Sequence, residues 1–477
     1  MDKFYITTPI YYVNAEPHIG TAYTTIAADV LARFYRFGGV QTFFLTGTDE
    51  HGSKIERAAM AAGKEPEEFT REMAAKFSFT WDTLAIAPDD FIRTTEERHK
   101  TAVAKFLKAL KASGKVYEGE YEGLYCVGHE AFLTEKDLDE QGNCPDHKTA
   151  PEKLKEKNWF FKLSDYEALL KEKIETGELL IAPASRRNEI LSFINQGLDD
   201  VAISRPNVKW GIKLPWDESQ TAYVWIEALF NYASVLDYPD GEKFKQFWPP
   251  DLHVMGKDIL RFHAVIWPAL LEAVKMPWPK KIFGHGFFTI DGQKISKSLG
   301  NVIDPFALAQ KYGTDTVRYF LLREIPFGQD GDFSIKKLEA RYDGDLANGL
   351  GNLFSRLTTL VAQNLNGEIG EIKPSPRSLE DIDKLVQDLR FHEALTRIWE
   401  EIAWANKYID ETKPWEKAKT EMKLFREVID NLVGLLYEIA QKLAPFMPDT
   451  AEKIRSGLST EKIVKAEPLF PRLEKIT

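Results

Sequence analysis

The sequence predicts an α/β fold: a doubly wound parallel sheet that is split by an insertion and followed by an all-α region. The first observation is an alternation at the start of the chain. Residues 4–9 and 41–46 are short β-rich apolar runs, and residues 17–37 between them carry helical apolar periodicity. A strand, a helix and a strand joined by short links indicate a parallel βαβ unit.

The second observation is that this pattern returns late in the chain. A strand is predicted at 251–255, a helix at 259–274 and a strand at 281–288. Residues 117–225 are rich in Gly, Tyr and Trp, contain both cysteines and are typical of an insertion. Residues 53–115 are rich in Ala, Glu and Lys and are predicted to be helical.

The third observation is a change of period near residue 343. Apolar residues recur at helical spacing in 346–360, 379–412 and 425–443, with prolines between these segments. The predicted boundaries follow from these changes. The two halves of the sheet domain are 1–115 and 226–288, the insertion is 116–225, a loop-bearing region is 289–345, and the helical domain is 346–477.

Composition limits the class of protein. The chain has 477 residues, a net charge of −11 and two cysteines, so collagen-like, disordered and disulfide-scaffold proteins are excluded. The first residues lack the basic start and apolar run of a signal peptide, and no run of about 18 apolar residues is present. We therefore expect a cytoplasmic protein that does not enter a membrane. The acidic balance argues against a whole-surface polyanion binder, so DNA is not an expected partner.

The stretch Pro17-His18-Ile19-Gly20-Thr21 lies where the first strand turns into the first helix. A helix N-terminus offers unpaired N–H groups and partial positive charge, which suit a phosphate. A histidine there can stabilise charge that develops on a phosphoryl group. The alternative is that His18 only caps the helix.

The segment 291–301 contains Lys294 and Lys297, interleaved with serines and flanked by glycines. A cationic loop of this kind can close on a triphosphate and neutralise its charge in the transition state. The alternative is a solvated surface loop. Its pairing with the His-x-Gly stretch favours the phosphate-binding interpretation.

Two Cys-x-x-His pairs stand in the insertion: Cys126 with His129, and Cys144 with His147. Thiolate and imidazole are good zinc ligands, and two-residue spacers put each pair on a tight turn. The sequence therefore predicts one structural zinc in a closed Cys₂His₂ knuckle. The alternative is two buried apolar cysteines with histidines nearby by chance.

The chain resembles the class I aminoacyl-tRNA synthetases, whose signatures HIGH and KMSKS stand here as HIGT and KISKS. Over almost its full length it is similar to the methionyl-tRNA synthetase family, on the stretches TPIYYVN, TGTDEHG, YVWIEALFNY, GKDILRFHAVIWPALL, HGFFTIDGQKISKSLGNVIDP and GNLFSR. The resemblance implies a split Rossmann-like sheet of HUP type, a zinc-knuckle insertion and a helical-bundle anticodon domain. It also implies ATP with Mg²⁺, L-methionine and tRNA(Met) as ligands.

Carried over position by position, the resemblance implies three sets of site residues. Catalysis and ATP binding would fall to His18, Gly20, Thr21, Gly256, Asp258, Lys294 and Lys297. Methionine would be bound by Ile10, Tyr12, Asp49, Trp225, Ala228, Leu229, Tyr232, Ile259, His263 and Trp267, with Asp49 on the α-amino group. A thioether packs well against aromatic rings, and Tyr12 or His263 could donate weakly to its sulfur. The alternative for Trp225 and Ile259 individually is core packing. Thr21 replaces the second histidine of the signature, which puts an ATP contact there in doubt.

Three residues of the helical domain suit an anticodon. Asn352 and Arg356 are one helical turn apart, and Trp415 follows a proline at an apparent helix start. An amide and a guanidinium can read base edges, and an indole can stack on an unpaired base. The alternative is a capping or core role. Between 257 and 341, 13 Lys and Arg stand against 9 Asp and Glu, a local positive strip that suits a nucleic-acid backbone.

The sequence therefore predicts a methionine–tRNA ligase. It would form methionyl-adenylate and pyrophosphate from ATP, then transfer the aminoacyl group to the 3′ end of tRNA(Met), for translation initiation and elongation. The rivals are a leucine, isoleucine or valine synthetase, a simpler adenylyltransferase, and a non-enzymatic tRNA-binding paralogue. The short insertion disfavours a leucine, isoleucine or valine synthetase. The helical domain disfavours a simpler adenylyltransferase, and the intact lysines and aspartates disfavour a non-enzymatic paralogue. A chain ending at Thr477 is expected to be a monomer.

Overall fold

The computed structural model describes residues 2–126, 131–133, 135–145, 148–290, 292–294, 302–375 and 377–473. These residues group into two compact units. The sheet unit comprises Met1–Pro17, Val40–Phe79 and Ala87–His285. The helical unit comprises His18–Gly39, Thr80–Ile86 and Gly286–Thr477.

The described strands are numbered in chain order. They are β1 Lys3–Tyr12, β2 Gln41–Asp49, β3 Asp90–Arg93, β4 Val116–Cys126, β5 Ala131–Leu133, β6 Glu152–Phe161, β7 Leu180–Ala182, β8 Val201–Ala202, β9 Ser204–Arg205, β10 Lys213–Leu214, β11 Asp217–Ala222, β12 Leu252–Gly256, β13 Lys281–His285, β14 Phe288–Ile290, β15 Gln293–Lys294 and β16 Gly331–Phe333.

The described α-helices follow the same numbering. They are α1 Ile19–Phe37, α2 Ser53–Ala61, α3 Pro66–Thr83, α4 Glu97–Ala112, α5 Glu167–Thr176, α6 Ala184–Ile194, α7 Val224–Leu229, α8 Asn231–Ser234, α9 Glu242–Phe247, α10 Trp267–Ala273, α11 Pro305–Tyr312, α12 Thr314–Glu324, α13 Ile335–Arg341, α14 Asn352–Asn364, α15 Asp381–Gln387, α16 Phe391–Thr412, α17 Pro414–Thr420, α18 Met422–Leu443 and α19 Pro448–Leu458. Two segments, Phe262–Ile266 and Tyr342–Gly351, are π-helical.

The sheet unit is built on six parallel strands in the order β3-β2-β1-β12-β13-β7. β1 is central, and β2 and β12 pair with its opposite edges. In such a sheet the chain reverses direction of winding between β1 and β12, and ligands bind outside the carboxyl ends of the strands there. The parallel sheet split by an insertion is confirmed.

The central strands are buried because their sequences are apolar on both faces. In β1 the residues from Phe4 to Pro9 are all buried, and in β2 the residues from Phe43 to Asp49 are all buried. Near-continuous apolar runs of this kind are typical of parallel strands covered on both faces. A register shift between Thr7 and Ile10 marks an irregularity in the pairing of β1 with β2.

Two sequence predictions of secondary structure were wrong. The stretch 53–115 is not all helical, because β3 forms the edge of the sheet beside β2. Four residues give too short a pattern to separate from flanking helices, and the strand is stabilised by pairing with residues far along the chain. The predicted strand 281–288 is two strands, since β13 ends in the six-stranded sheet and β14 belongs to a separate sheet with β15 and β16.

The described strands within the predicted insertion 116–225 pair antiparallel with one another, except β7, which joins the edge of the parallel sheet. β4 pairs with β6 over their length and with β5, and β6 continues to β8. Because antiparallel strands need no crossover helix between them, the insertion can be built from short hairpins. These described strands therefore differ in pairing direction from the parallel sheet, which fits an inserted segment.

The helical unit packs long amphipathic helices. α16 and α18 bury apolar residues along one face each, and α14 contacts both. The predicted all-α region is confirmed. Arg318 lies within this unit and is fully buried, so it is not part of the positive surface strip that the charge count predicts. In the described part of the chain no helix is both long and apolar enough to cross a bilayer.

Candidate active site

Three predicted site residues end neighbouring strands of the six-stranded sheet. Tyr12 ends β1, Asp49 ends β2 and Gly256 ends β12. Tyr12 and Asp49 are register partners across the β1–β2 ladder. Because the strands are parallel, all three residues lie at the carboxyl edge, where the chain changes its winding direction.

Aromatic rings build a pocket wall beside this edge. The ring of Tyr12 meets the ring of Trp225 edge-on, with centroids 6.2 Å apart and an interplanar angle of 88°. Trp225 stacks on Phe262 at 3.9 Å and 8°. The imidazole of His263 meets the same indole edge-on at 6.4 Å. Phe262 was not among the predicted residues, although it directly precedes one of them.

His263 is held by two hydrogen bonds. Its Nδ1 lies 3.0 Å from the Ile259 carbonyl oxygen, and its Nε2 lies 2.7 Å from the Tyr232 hydroxyl. A carbonyl only accepts, so the neutral ring carries its proton on Nδ1, and Nε2 accepts from Tyr232. Burial lowers the pKa of His263 to about 4, which keeps the ring neutral at pH 7. Both ring nitrogens of His263 are engaged in these hydrogen bonds.

The predicted methionine-binding residues all belong to the sheet unit. Most share one hydrophobic cluster, in which Leu229, Tyr232 and Trp267 are buried and Ile10, Tyr12, Trp225 and Ile259 are partly buried. Ala228 and His263 are buried as well. The structure therefore brings the predicted apolar and aromatic set together.

Asp49 is 3% exposed at the end of β2. The next residue, Glu50, is fixed by Arg93, whose Nε and Nη2 donate to the two carboxylate oxygens at 2.7 and 2.9 Å. The Trp210 indole donates to the Glu50 carbonyl at 2.5 Å. Glu50, the residue next to Asp49, is thus held through both its carboxylate and its backbone carbonyl. Asp258 lies on the turn after β12 and is exposed.

In the helical unit, His18 caps α1 with its side chain. Its Nδ1 accepts from the Gly20 N–H at 3.1 Å, so in the neutral ring the proton is on Nε2. The Thr21 hydroxyl donates to the His18 carbonyl at 2.7 Å and accepts from the His18 N–H at 3.1 Å. The pair forms a reciprocal capping box. Thr21 therefore braces the backbone of His18.

Gly20 leaves room for the His18 ring. A Cβ built at residue 20 would lie 3.0 Å from Cε1 and 3.1 Å from Nδ1 of His18, closer than ordinary van der Waals contact. The N–H of Ile19 donates to the Ile303 carbonyl at 3.1 Å. Ile303 lies a few residues beyond the KISKS stretch, so the described chain after that stretch contacts the start of α1.

The described part of the KISKS stretch is short. The backbone of Lys294 lies in β15 and pairs with Thr289 of β14. The side chain of Lys294 and the whole of Lys297 lie outside the described residues. β14 also pairs with β16, so the strand that leads into the stretch is anchored in a three-stranded sheet.

The predicted anticodon residues are at the surface of the helical unit. The Asn352 amide lies 3.4 Å from the Asn406 amide oxygen, and Arg356 donates to Asp410 at 2.6 Å. Each pair joins α14 to α16, one turn apart on both helices. Trp415 lies in the first turn of α17 and is 43% exposed, so an indole face is available for stacking.

Two of the four predicted zinc ligands lie in the described residues. Cys126 is the last residue of β4, and Cys126 and Cys144 are both buried. The Cys144 carbonyl accepts from the Lys148 N–H at 2.8 Å. His129 and His147 lie outside the described residues, and no group of three or more His, Cys, Asp or Glu placed to hold a metal ion occurs within the described ones. Two buried thiols are compatible with half of the predicted ligand set.

One cluster of buried titratable residues was missed by the sequence analysis. It comprises His51, His99 and Glu227, in which each histidine hydrogen-bonds to one carboxylate oxygen of Glu227. His51 stands in TGTDEHG and Glu227 in YVWIEALFNY, the same stretches that carry Asp49 and Trp225. A charged residue inside an otherwise apolar helix was the signal that could have singled out Glu227.

Two family models match the chain. One, described as "tRNA synthetases class I (M)", matches residues 4–151 and 147–358. The other, described as "Anticodon-binding domain of tRNA ligase", matches residues 377–476. Together they cover both the sheet with its insertion and the helical region.

Relatives and solved structures agree with the models. A methionine–tRNA ligase of Thermotoga maritima is 44% identical over 510 residues, covering 99% of this chain and 80% of that protein. One of Rickettsia felis is 45% identical over 488 residues, covering 99% and 94%. The structure of Mycobacterium tuberculosis methionyl-tRNA synthetase in complex with methionyl-adenylate has a TM-score of 0.93 at 38% identity, covering 99% of this chain and 100% of that one. With this fold, these family models and these relatives, the chain belongs to the methionine–tRNA ligase family of class I aminoacyl-tRNA synthetases.

Proposed function

We propose that the chain performs the methionine–tRNA ligase reaction with the site residues that the sequence predicts. A carboxylate oxygen of methionine attacks the α-phosphorus of ATP bound with Mg²⁺, and pyrophosphate leaves. A hydroxyl of the terminal ribose of tRNA(Met) then attacks the aminoacyl carbonyl, and AMP leaves. No covalent bond to the enzyme is needed, so catalysis consists of positioning and charge stabilisation.

Methionine is proposed to bind at the carboxyl edge of the sheet. The carboxylate of Asp49 would pair with the α-ammonium group, and the rings around Trp225 would enclose the thioether. The neutral state of His263 supports this assignment, because a charged imidazole would oppose an apolar side chain. The hydroxyl of Tyr12 would donate to sulfur. The remaining predicted residues, Ile10, Ala228, Leu229, Tyr232, Ile259 and Trp267, would form the pocket walls.

ATP is proposed to use the N-terminus of α1 and the KISKS stretch. His18 would donate from Nε2 to a phosphate oxygen, since its Nδ1 is occupied by the Gly20 N–H. Lys294 and Lys297 would neutralise the phosphates. Thr21 would act as a positioning residue through the capping box. Gly256 and Asp258 would contact the nucleoside, with the exposed carboxylate near the ribose.

The anticodon of tRNA(Met) is proposed to bind where α14, α16 and α17 meet solvent. Asn352 and Arg356 would read base edges, and Trp415 would stack on a base. The exposed indole and the adjacent amide and guanidinium groups support this assignment. The family model that matches residues 377–476 supports a tRNA-binding role for this region.

One structural zinc is proposed for the insertion, with Cys126, His129, Cys144 and His147 as ligands. When bound, zinc would close a tetrahedral site and brace the antiparallel hairpins of the insertion. The burial of the two cysteines supports it. Elemental analysis of the purified protein is expected to give about one zinc per chain, and a Cys144→Ser variant well below one. A ratio near zero in the wild type would refute the site.

The protein is also proposed to be a cytoplasmic monomer. The large apolar side chains that are exposed in the described residues are spread along the chain, at Phe37, Met60, Phe79, Tyr117, Leu180, Phe287, Val302, Ile335, Trp415, Met422 and Val464. Single exposed apolar residues are normal and need no partner. Light scattering at micromolar concentration is expected to give the mass of one chain.

The observation that carries the proposal is the pairing of Asp49 with Tyr12 at the carboxyl edge, next to the Trp225 stack. The test is steady-state adenylate formation by variants with separate roles. Asp49→Asn should raise the KM for methionine about 100-fold or more and change the KM for ATP little, since loss of a charge pair costs several kcal/mol. Lys297→Ala should instead lower kcat, with the KM for methionine within about threefold of the wild type. The reverse pattern would overturn these assignments.

A further inference from the structure

The buried carboxylate of Glu227 connects the two parts of the proposed methionine site, the Asp49 end and the rings around Trp225. Glu227 lies in α7 between Trp225 and Ala228 and is 1% exposed. His51 Nδ1 lies 2.9 Å from Glu227 Oε1. His51 stands two residues after Asp49, so this hydrogen bond connects the helix that carries Trp225 to the segment that directly follows the proposed ammonium ligand.

The second carboxylate oxygen is also engaged. His99 Nε2, from the first turn of α4, lies 2.9 Å from Glu227 Oε2, and His99 Nδ1 lies 2.8 Å from the Ser234 hydroxyl of α8. All four side chains are at most 3% exposed. Burial raises the pKa of Glu227, but the two imidazoles outweigh that effect, and the net pKa lies below the usual value. The group is therefore an ionised carboxylate with both oxygens fixed.

These contacts close a ring around the pocket. Asp49 is the register partner of Tyr12, Tyr12 meets Trp225 edge-on, Trp225 and Glu227 share α7, and Glu227 bonds back to the loop after Asp49. That loop is itself held by Trp210, whose indole bonds to the Glu50 carbonyl and whose carbonyl accepts from the Gly52 N–H. The distance between Asp49 and Trp225 is therefore constrained along two routes, one through Tyr12 and one through Glu227.

From this arrangement we infer that Glu227 is a positioning and specificity-determining residue, which sets the distance between the α-ammonium site at Asp49 and the thioether pocket at Trp225. The inference rests on the proposed methionine site. A buried carboxylate in an apolar helix is costly, and a simple packing role would be filled as well by an apolar residue. A role in fixing a distance requires a bond from Glu227 to the Asp49 side, which His51 provides, while His99 holds the second carboxylate oxygen in place.

The test compares methionine with its homologue that has one more methylene in the side chain, using amino-acid-dependent ATP–pyrophosphate exchange by the full chain. Glu227→Gln removes the charge at constant volume. We expect the KM for methionine to rise about tenfold, with the KM for ATP within about twofold. We also expect the kcat/KM preference for methionine over the homologue to fall at least about fivefold, because one methylene is worth about 10–200-fold in a fitted site.

The matched control is Glu401→Gln in α16. Glu401 is also 1% exposed and also bonds to two side chains, in its case Arg377 and Arg397, but it belongs to the helical unit. This variant should leave the KM for methionine and the preference over the homologue unchanged. If Glu227→Gln is insoluble, His51→Gln is measured instead with the same expectations, because it breaks the same bond and leaves that of His99.

The outcomes separate this inference from the proposed site. A rate that falls with no change in either KM or in the preference would mean that Glu227 only stabilises the fold, and would overturn the inference. Unchanged kinetics would overturn it as well. If Asp49→Asn leaves the KM for methionine unchanged in the same assay, the proposed site itself fails, whatever the Glu227 variant does.

Discussion

His18 is oriented by its own neighbours in the chain. Its ring nitrogen accepts from the Gly20 N–H, and Thr21 secures its backbone through two hydrogen bonds. The sequence left open whether this histidine caps a helix or contacts a phosphate. The geometry allows both, because capping uses Nδ1 and puts the proton of the neutral ring on Nε2.

Gly20→Ala should displace the His18 ring. The added Cβ would lie 3.0 Å from Cε1, so the ring must move. A shift of the ring at this proposed phosphate-stabilising donor is expected to lower kcat for adenylate formation by about 10–100-fold. The control is Gly38→Ala at the end of the same helix, where the nearest atom would be 3.4 Å away. Equal activity of the two variants would contradict this role of the glycine.

His263 should make the protein sensitive to acid. Its pKa is about 4 in the folded protein because of burial, whereas an unfolded histidine titrates near 6.5. Between these values the unfolded chain takes up a proton that the folded chain does not, so stability falls as the pH falls. From pH 7 to 5 this one group costs about 2 kcal/mol.

His263→Gln removes this contribution. We expect the loss of melting temperature between pH 7 and pH 5 to be about 4–8 °C smaller in the variant, as followed by differential scanning fluorimetry. His253, whose pKa burial also lowers, remains in both proteins, so part of the loss persists. An identical loss in both proteins would contradict the neutral buried state of His263.

α14, α16 and α17 present polar and aromatic groups to solvent together. Asn352 and Arg356 lie one turn apart on α14, and each bonds to a residue of α16. The next helix, α17, begins with Pro414 and the exposed Trp415. The proline sets the helix start, so the indole stands in the first turn. This surface is formed by three helices together. The sequence pattern predicted the individual residues, but it did not show which helices lie side by side.

Trp415→Ala should separate tRNA charging from methionine activation. Loss of one base stack is worth about 1–3 kcal/mol, so kcat/KM for tRNA(Met) is expected to fall about 5–150-fold. Methionine-dependent pyrophosphate exchange should stay within about twofold of the wild type. Phe37→Ala serves as a control, since Phe37 is also exposed, at the end of α1. A parallel loss of both activities would count against an anticodon role.

Within the helical unit, one buried arginine joins four segments. Arg318 of α12 bonds to Asp29 of α1 at 2.6 Å, to the carbonyl of Leu84, and to the carbonyls of Pro445 and Phe446 after α18. It is fully buried, as is Asp29. The helix that begins at His18 is therefore tied to the turn after a long helix of the bundle.

Arg318→Met should destabilise the helical unit strongly. It leaves several buried carbonyls without a donor, and breaking a buried ion pair costs about 3–5 kcal/mol. The melting temperature is expected to fall by about 6 °C or more. Arg33→Met is the control, because Arg33 bonds to the same carboxylate from a partly exposed position and should cost less. Equal losses would contradict a special role for Arg318.

The parts of the fold that follow from local sequence were predictable. The apolar strands β1 and β2, the helix α1 and the bundle helices carry their own periodicity, and the HIGT and KISKS stretches mark the proposed phosphate-binding ends. The edge strand β3 was missed because four residues pair non-locally and show little pattern of their own. The charge count treats Arg318 as a surface charge for the same reason, since its burial depends on Asp29, far away in the sequence.

Methionine activation by the wild-type chain is tested by amino-acid-dependent ATP–pyrophosphate exchange. Methionine, leucine, isoleucine and valine are compared at equal concentration, with ATP and Mg²⁺ present. The pocket around Trp225, with neutral His263 and Asp49 at the sheet edge, predicts exchange with methionine at least about tenfold faster than with any of the other three. Exchange that is absent with methionine, or faster with one of the others, would contradict methionine activation at this site.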